Sequence, residues 1–178
     1  MPTVIDKSTV IEIIKEISKK MQNVDKVLKE SNATLGKKNI SEIIGKIAEG
    51  TFADILTEKL GYLVKSAQND KESDLFLTKT GEKLEIKMTS TDNSWQGGEF
   101  STRPYDYFLI SWGGNFNEFF VARTTLSDKE WHSNIANRRY GTTYPAKDLY
   151  NKKDKIIYIG HLELTSRGSV KIKREKIN

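Results

Sequence analysis

The sequence predicts an α/β protein, with a mixed central β-sheet, two helices ahead of it and one later helix packed around it. Two observations carry this. Apolar residues recur at helical spacing up to Leu60. Beyond Gly61 they alternate, or run in short blocks between turn residues, as strands do. A third observation bears on domain number. The 178 residues hold no internal repeat, low-complexity tract or linker, so 1–178 reads as one domain. Within it, 1–36 is an N-terminal helical segment and 40–178 the core.

In the first helix Val10, Ile14, Ile17, Met21, Val24 and Leu28 are spaced 4, 3, 4, 3 and 4, the narrow seam of a coiled coil. Thr9 and Glu12 are the expected capping box at its start. Such a seam packs on the next helix of the same chain or on a second subunit. The second option makes 1–36 a candidate dimerisation or DNA-contact element. Asn39 with Glu42 opens the second helix and Gly61 closes it. Its apolar face starts with Ile40, Ile43, Ile44 and Ile47 and drifts to Phe52, Ile55, Leu56 and Leu60.

Strands follow at 62–64, 74–77, 83–89, 107–112 and 118–122. Lys79–Glu82 is a hairpin turn between the second and third. Leu126–Arg139 reads as a helix capped by Ser127 with Glu130 at its third position. Residues 155–164 and 169–173 form a last hairpin about Ser166-Arg167-Gly168. Asp92–Tyr105 holds Gly97, Gly98 and Pro104 without helical period, and reads as an irregular loop.

Composition removes several chemistries. With no cysteine there are no disulfides, cysteine zinc sites or thiol nucleophiles, and two histidines exclude a His-rich metal site. No apolar run approaches the roughly 20 residues of a membrane span. The first residues lack a signal peptide's basic-then-apolar pattern, so a soluble cytoplasmic protein is expected. The net charge of +5 sits at the end of the chain, where 151–178 carry eight Lys or Arg against three Asp or Glu. Such a stretch suits a phosphate backbone, or is a solvated surface strand.

The informative segment is 73–91. Asp74 is followed, after ten residues, by Glu85-Ile86-Lys87. On a strand Glu85 and Lys87 project to one face, with Ile86 turned into the core. A hairpin about Thr80-Gly81 brings Asp74 back beside them. One carboxylate from each strand then meets near one point, with a lysine adjacent. That set suits Mg²⁺, a hard cation held by one or two carboxylates plus a substrate phosphate, with the Ile86 carbonyl as a third oxygen. Lys87 is then placed to orient or deprotonate an attacking water, or to steady charge on phosphorus. The reaction class is phosphodiester hydrolysis. A further acid, Glu49, lies in line with Phe52, Ala53 and Leu56 on the second helix, where a carboxylate needs a partner. Glu58, nearer the helix end, ranks behind it.

Asp74 with Glu85-Ile86-Lys87, behind a Glu-bearing helix, resembles the PD-(D/E)xK nuclease superfamily, and type II restriction endonucleases in particular. The likeness covers 42–112, and Ser73 stands where the motif has proline. It implies a restriction-endonuclease-like fold, Asp74 and Glu85 as metal ligands, Lys87 as catalytic lysine and Glu49 as helix acid. It also implies DNA contacts from Thr89, Ser90 and Thr91, and from the 95–103 segment, where Gln96 and Arg103 are candidates. Arg138 and Arg139 are further candidates, since arginine commonly reads guanine. His132 and His161 are expected to be surface or packed residues. Trp95 either stacks on a base or anchors its loop on the sheet, and Trp112 and Trp131 are expected in the core.

The expected function is therefore a Mg²⁺-dependent, site-specific double-strand DNA endonuclease of the type II restriction class, acting as a homodimer. The alternatives are a structure-specific or repair nuclease of the Holliday-junction resolvase kind, and a non-catalytic nucleic-acid-binding module.

Overall fold

The computed structural model describes residues 2–69, 72–90, 94–97, 105–133 and 142–173. Helix α1 spans Lys7–Glu30 and α2 spans Lys37–Leu60. The cap of α1 is Asp6 rather than Thr9: its Oδ1 accepts the Thr9 N–H at 2.7 Å. Asp6-x-x-Thr9 and Thr9-x-x-Glu12 are overlapping capping signals, and the earlier one prevails. Asp6→Ala is expected to cost about 1 kcal/mol, read by urea denaturation. Helix α2 starts after Gly36 without a side-chain cap, so Asn39 lies inside it and caps nothing. Gly61 ends it in the left-handed conformation (φ 69°), which glycine adopts freely.

The first four positions of the α1 seam are consumed within the chain, while Val24 and Leu28 are half-buried. Val10, Ile13, Ile14, Ile17 and Met21 are buried in one cluster with Ile44, Phe52 and Leu56 of α2. The same cluster takes in Leu75, Leu84, Ile86 and Phe108 of the sheet. That part of the seam is therefore not free to serve as a subunit contact.

The strands are β1 (Val64–Ser66), β2 (Leu75–Leu77), β3 (Glu82–Thr89), β4 (Ser94–Gly97), β5 (Tyr105–Gly113), β6 (Glu118–Leu126), β7 (His132–Ser133), β8 (Thr142–Pro145), β9 (Ile157–Leu164) and β10 (Val170–Ile172). A short helix α3, Ala146–Asn151, precedes β9. Among the described residues seven strands form a mixed, mostly antiparallel sheet in the order β1-β2-β3-β5-β6-β9-β10. Among these described strands β3 and β5 alone pair in parallel. The fold is thus α/β, with helices α1 and α2 on one face.

A second sheet, β4-β8-β7, contributes to a separate core on the other face, where Trp95 and Tyr144 pack with Tyr107, Leu109 and Phe120. Two expectations are corrected here. The 92–105 connection is not simply irregular, because it contributes β4. The predicted 126–139 helix is a single 3-10 turn at Asp128–Glu130, followed by β7, with 134–139 outside the described residues. The Ser127–Glu130 capping box does form, but Trp131 leaves the turn to pack on Tyr107 and Tyr144. Strand β1 also begins two residues later than expected, at Val64.

One buried ion pair joins the N-terminus to the sheet. Arg123, fully buried on β6, binds Asp106 of β5 through Nε at 3.1 Å and Nη2 at 2.5 Å. Its Nη1 donates to the Thr3 carbonyl at 2.8 Å, and the Thr3 N–H donates to Glu82 at 2.7 Å. The basic C-terminal region is partly neutralised internally. Lys152 pairs with Glu130 at 2.6 Å, and Lys173 lies 3.5 Å from both Glu118 and Glu163. Lys155 donates to three carbonyls at the end of α3. Among the described residues no helix is long and apolar enough to cross a membrane.

Candidate active site

The site is built on the β2–β3 hairpin. Gly81 supplies its turn with a positive φ of 73°. The register pairs Leu75 with Leu84 and Leu77 with Glu82, so both leucines of β2 face the α1/α2 core beside Leu84. Continued by one residue, that register sets Asp74 opposite Glu85. Asp74 reaches across the hairpin, and its Oδ2 accepts the Ile86 N–H at 2.7 Å. A strand residue presents its N–H and C=O to the same neighbour, so the Ile86 carbonyl opens toward Asp74 too. The Ile86 side chain is buried in the core, as expected.

Glu85 and Lys87 share the opposite face of β3, with Lys87 Nζ 3.1 Å from Glu85 Oε2. Glu85 is buried, at 8% exposure. Burial pushes its pKa up to about 7, and the charge of Asp74 adds to the rise. Lys87 works against it, while a hydrogen bond between the two carboxyls favours the protonated form. This donor set fits a hard dication. Two opposed carboxyls, one of them unable to ionise cheaply beside the other, gain most from a neighbouring positive charge. Asp74, Glu85 and the Ile86 carbonyl would hold Mg²⁺.

Glu49 sits on α2 with its side chain 14% exposed. Its direct partner is Lys46, at 2.8 and 3.0 Å, rather than Lys87. That pair was legible as an i, i+3 spacing on the helix. Burial raises the Glu49 pKa against the Lys46 hydrogen bond. The charges of Asp74 and Lys87 both reach it, one raising and one lowering. Glu49 therefore borders the hairpin site electrostatically, while among the described residues no three His, Cys, Asp or Glu side chains converge as metal ligands. Glu58 is exposed near the helix end.

The expected DNA contacts are dispersed. Thr89 ends β3 opposite Ser111, on the face that carries Glu85 and Lys87, and Ser90 is exposed just beyond. Gln96 is exposed on β4 opposite Thr143. Thr91, Arg103, Arg138 and Arg139 lie outside the described residues. Trp95 is an anchor: it is buried, and its Nε1 donates to the Ile110 carbonyl at 3.0 Å. Trp131 is in the core, whereas Trp112 is half-buried and stacked on Phe116 at 5.1 Å. His132 is exposed beside Asp148, at 2.7 Å, and His161 packs on Phe120 at 5.1 Å.

The burial of Glu85 has a measurable consequence. A folded-state pKa near 7, against an ordinary value of 4.5, means that the folded chain binds this proton more tightly. Its stability therefore falls as pH rises from about 4.5 to 7, and the whole penalty applies above 7. Glu85→Gln, a neutral isostere, is expected to be about 1–3 kcal/mol more stable than the parent at pH 8 in EDTA. The gap should close by pH 4.5, as read by urea titration.

No protein-family model and no curated protein matches the chain.

Proposed function

We propose that this chain is a Mg²⁺-dependent DNA endonuclease of the PD-(D/E)xK kind, in the type II restriction class. The observation that carries the reading is Asp74 set against Glu85 across the hairpin, with Lys87 beside Glu85 on the same strand face. Support also comes from the sheet order β1-β2-β3-β5, with β3 and β5 parallel and an acid-bearing helix ahead of it. The chain departs from the superfamily pattern between β3 and β5, where β4 stands among the described residues and the pattern has a helix.

A bound Mg²⁺ supplies positive charge against the scissile phosphate. The chain's own groups do the rest. Lys87, half-buried and held by Glu85, offers N–H donors to a phosphate oxygen and keeps the attacking water in line. Water attack forms one P–O bond and breaks another, leaving a terminal phosphate on one fragment and a hydroxyl on the other.

A second reading, a structure-specific nuclease, gains from one observation. Val10, Ile14, Ile17 and Met21 of α1 are buried within the chain, which takes up much of the candidate subunit contact, and cutting both strands of a palindrome favours two-fold symmetry. Unmethylated phage DNA and a four-way junction, each incubated with the protein and Mg²⁺, separate the two. Discrete fragments from phage DNA are expected for the restriction reading. Intact phage DNA with a cut junction would move the assignment to the second.

A further inference from the structure

We propose that Lys65, Phe76 and Lys83 form a docking row for the nucleic-acid strand immediately beside the scissile phosphate. The proposal rests on the nuclease reading above, and it assigns a substrate path to residues that the motif does not include. The register places the three side by side: Lys65 opposite Phe76 across β1 and β2, and Phe76 opposite Lys83 across β2 and β3. Directly opposed residues share a face. Side chains along a strand return to the same face every second residue, so Lys83 shares its face with Glu85 and Lys87. Lys83 thus lies one same-face step, about 7 Å, from Glu85.

The row's chemistry suits a polyanion that carries flat apolar groups. Lys65 and Lys83 are both exposed. Among the described residues neither has an acid within salt-bridge range, in contrast to Lys46, Lys87, Lys152 and Lys173. Phe76 is half-buried between them. The three line a cleft of about 710 Å³ that also reaches Ser73, the residue next to Asp74. Two acids share the cleft: Glu72, which accepts from the Gln68 N–H at 2.9 Å and the Asn69 amide at 3.0 Å, and Asp54, exposed on the α2 side. A strand whose scissile phosphate meets Lys87 would then place neighbouring phosphates on Lys83 and Lys65, with a sugar or base against Phe76.

Phosphate contacts of this kind are read by salt dependence. Each phosphate neutralised on duplex DNA contributes about −0.9 to the slope of log K against log salt. Anisotropy of a short fluorescein-labelled duplex, titrated in EDTA at several salt concentrations, is the measurement. Lys65→Ala/Lys83→Ala is expected to make the slope shallower by about 1.8, and Lys65→Arg/Lys83→Arg to retain it. Both positions are exposed, so the variants should keep the parent's circular dichroism. A double-alanine variant that binds with the parent's slope would overturn the docking row and leave the nuclease reading in place. A parent protein that neither binds the duplex nor cuts DNA with Mg²⁺ would overturn that reading itself.

Discussion

Lys87→Ala is expected to lose DNA cleavage by about 10²- to 10⁴-fold while keeping DNA affinity within a few-fold of the parent. Lys87 is the cation of the acidic pair, its Nζ 3.1 Å from Glu85, and is only 21% exposed. Its contribution belongs to the transition state, where charge grows on phosphate oxygens, so its removal should appear in the rate. Binding, by contrast, spreads over many phosphates, of which one lysine covers a small part. Single-turnover cleavage and anisotropy on the same variant separate the two. A non-catalytic binding module predicts the reverse pattern: no metal-dependent product from the parent, and binding indifferent to Lys87.

The second large effect concerns the fold. Arg123→Ala is expected to destabilise the protein by about 3–5 kcal/mol, because it strands Asp106 as a buried carboxylate without its partner. The guanidinium also holds the Thr3 carbonyl, so the segment ahead of α1 should loosen with it. Replacing both partners, as Arg123→Met with Asp106→Leu, is expected to recover much of the loss, since a buried pair can give way to apolar residues of similar volume. Urea denaturation of the single and double variants tests this. A single variant within about 1 kcal/mol of the parent would show that the pair contributes little beyond its own desolvation.

The hairpin was legible because everything that makes it is local. Period-two alternation, a Gly-bearing turn and the Asp74-to-Glu85 spacing lie within one short stretch, and the register follows from them. The helices were legible for the same reason, although Asp6 rather than Thr9 caps α1 and the spacing left open whether its seam meets α2 or a second subunit. What escaped depends on distant contacts. β4 forms around Trp95, whose indole seats on the Ile110 carbonyl, and nothing near Trp95 in the chain announces that. The Ser127–Glu130 box opens a helix or a lone turn equally well, and the pull of Tyr107 and Tyr144 on Trp131 decides it. Arg123 falls just past the expected strand end at Ala122; in the fold it pairs with Phe108 of β5 and reaches Asp106 two residues away on that strand, and β6 runs on to Leu126. Glu49 feels the charges of Asp74 and Lys87, but its direct partner is Lys46 on its own helix, not Lys87.

The central claim is that the Asp74–Glu85–Lys87 constellation hydrolyses DNA with a divalent cation. Incubating the pure protein with unmethylated phage DNA and with a four-way junction, in Mg²⁺ and in EDTA, tests it most directly. The structure-based reading predicts cut products from at least one substrate in Mg²⁺, none in EDTA, and none from Lys87→Ala in the same time. Both substrates intact in Mg²⁺, or cutting by Lys87→Ala at the parent's rate, would contradict it.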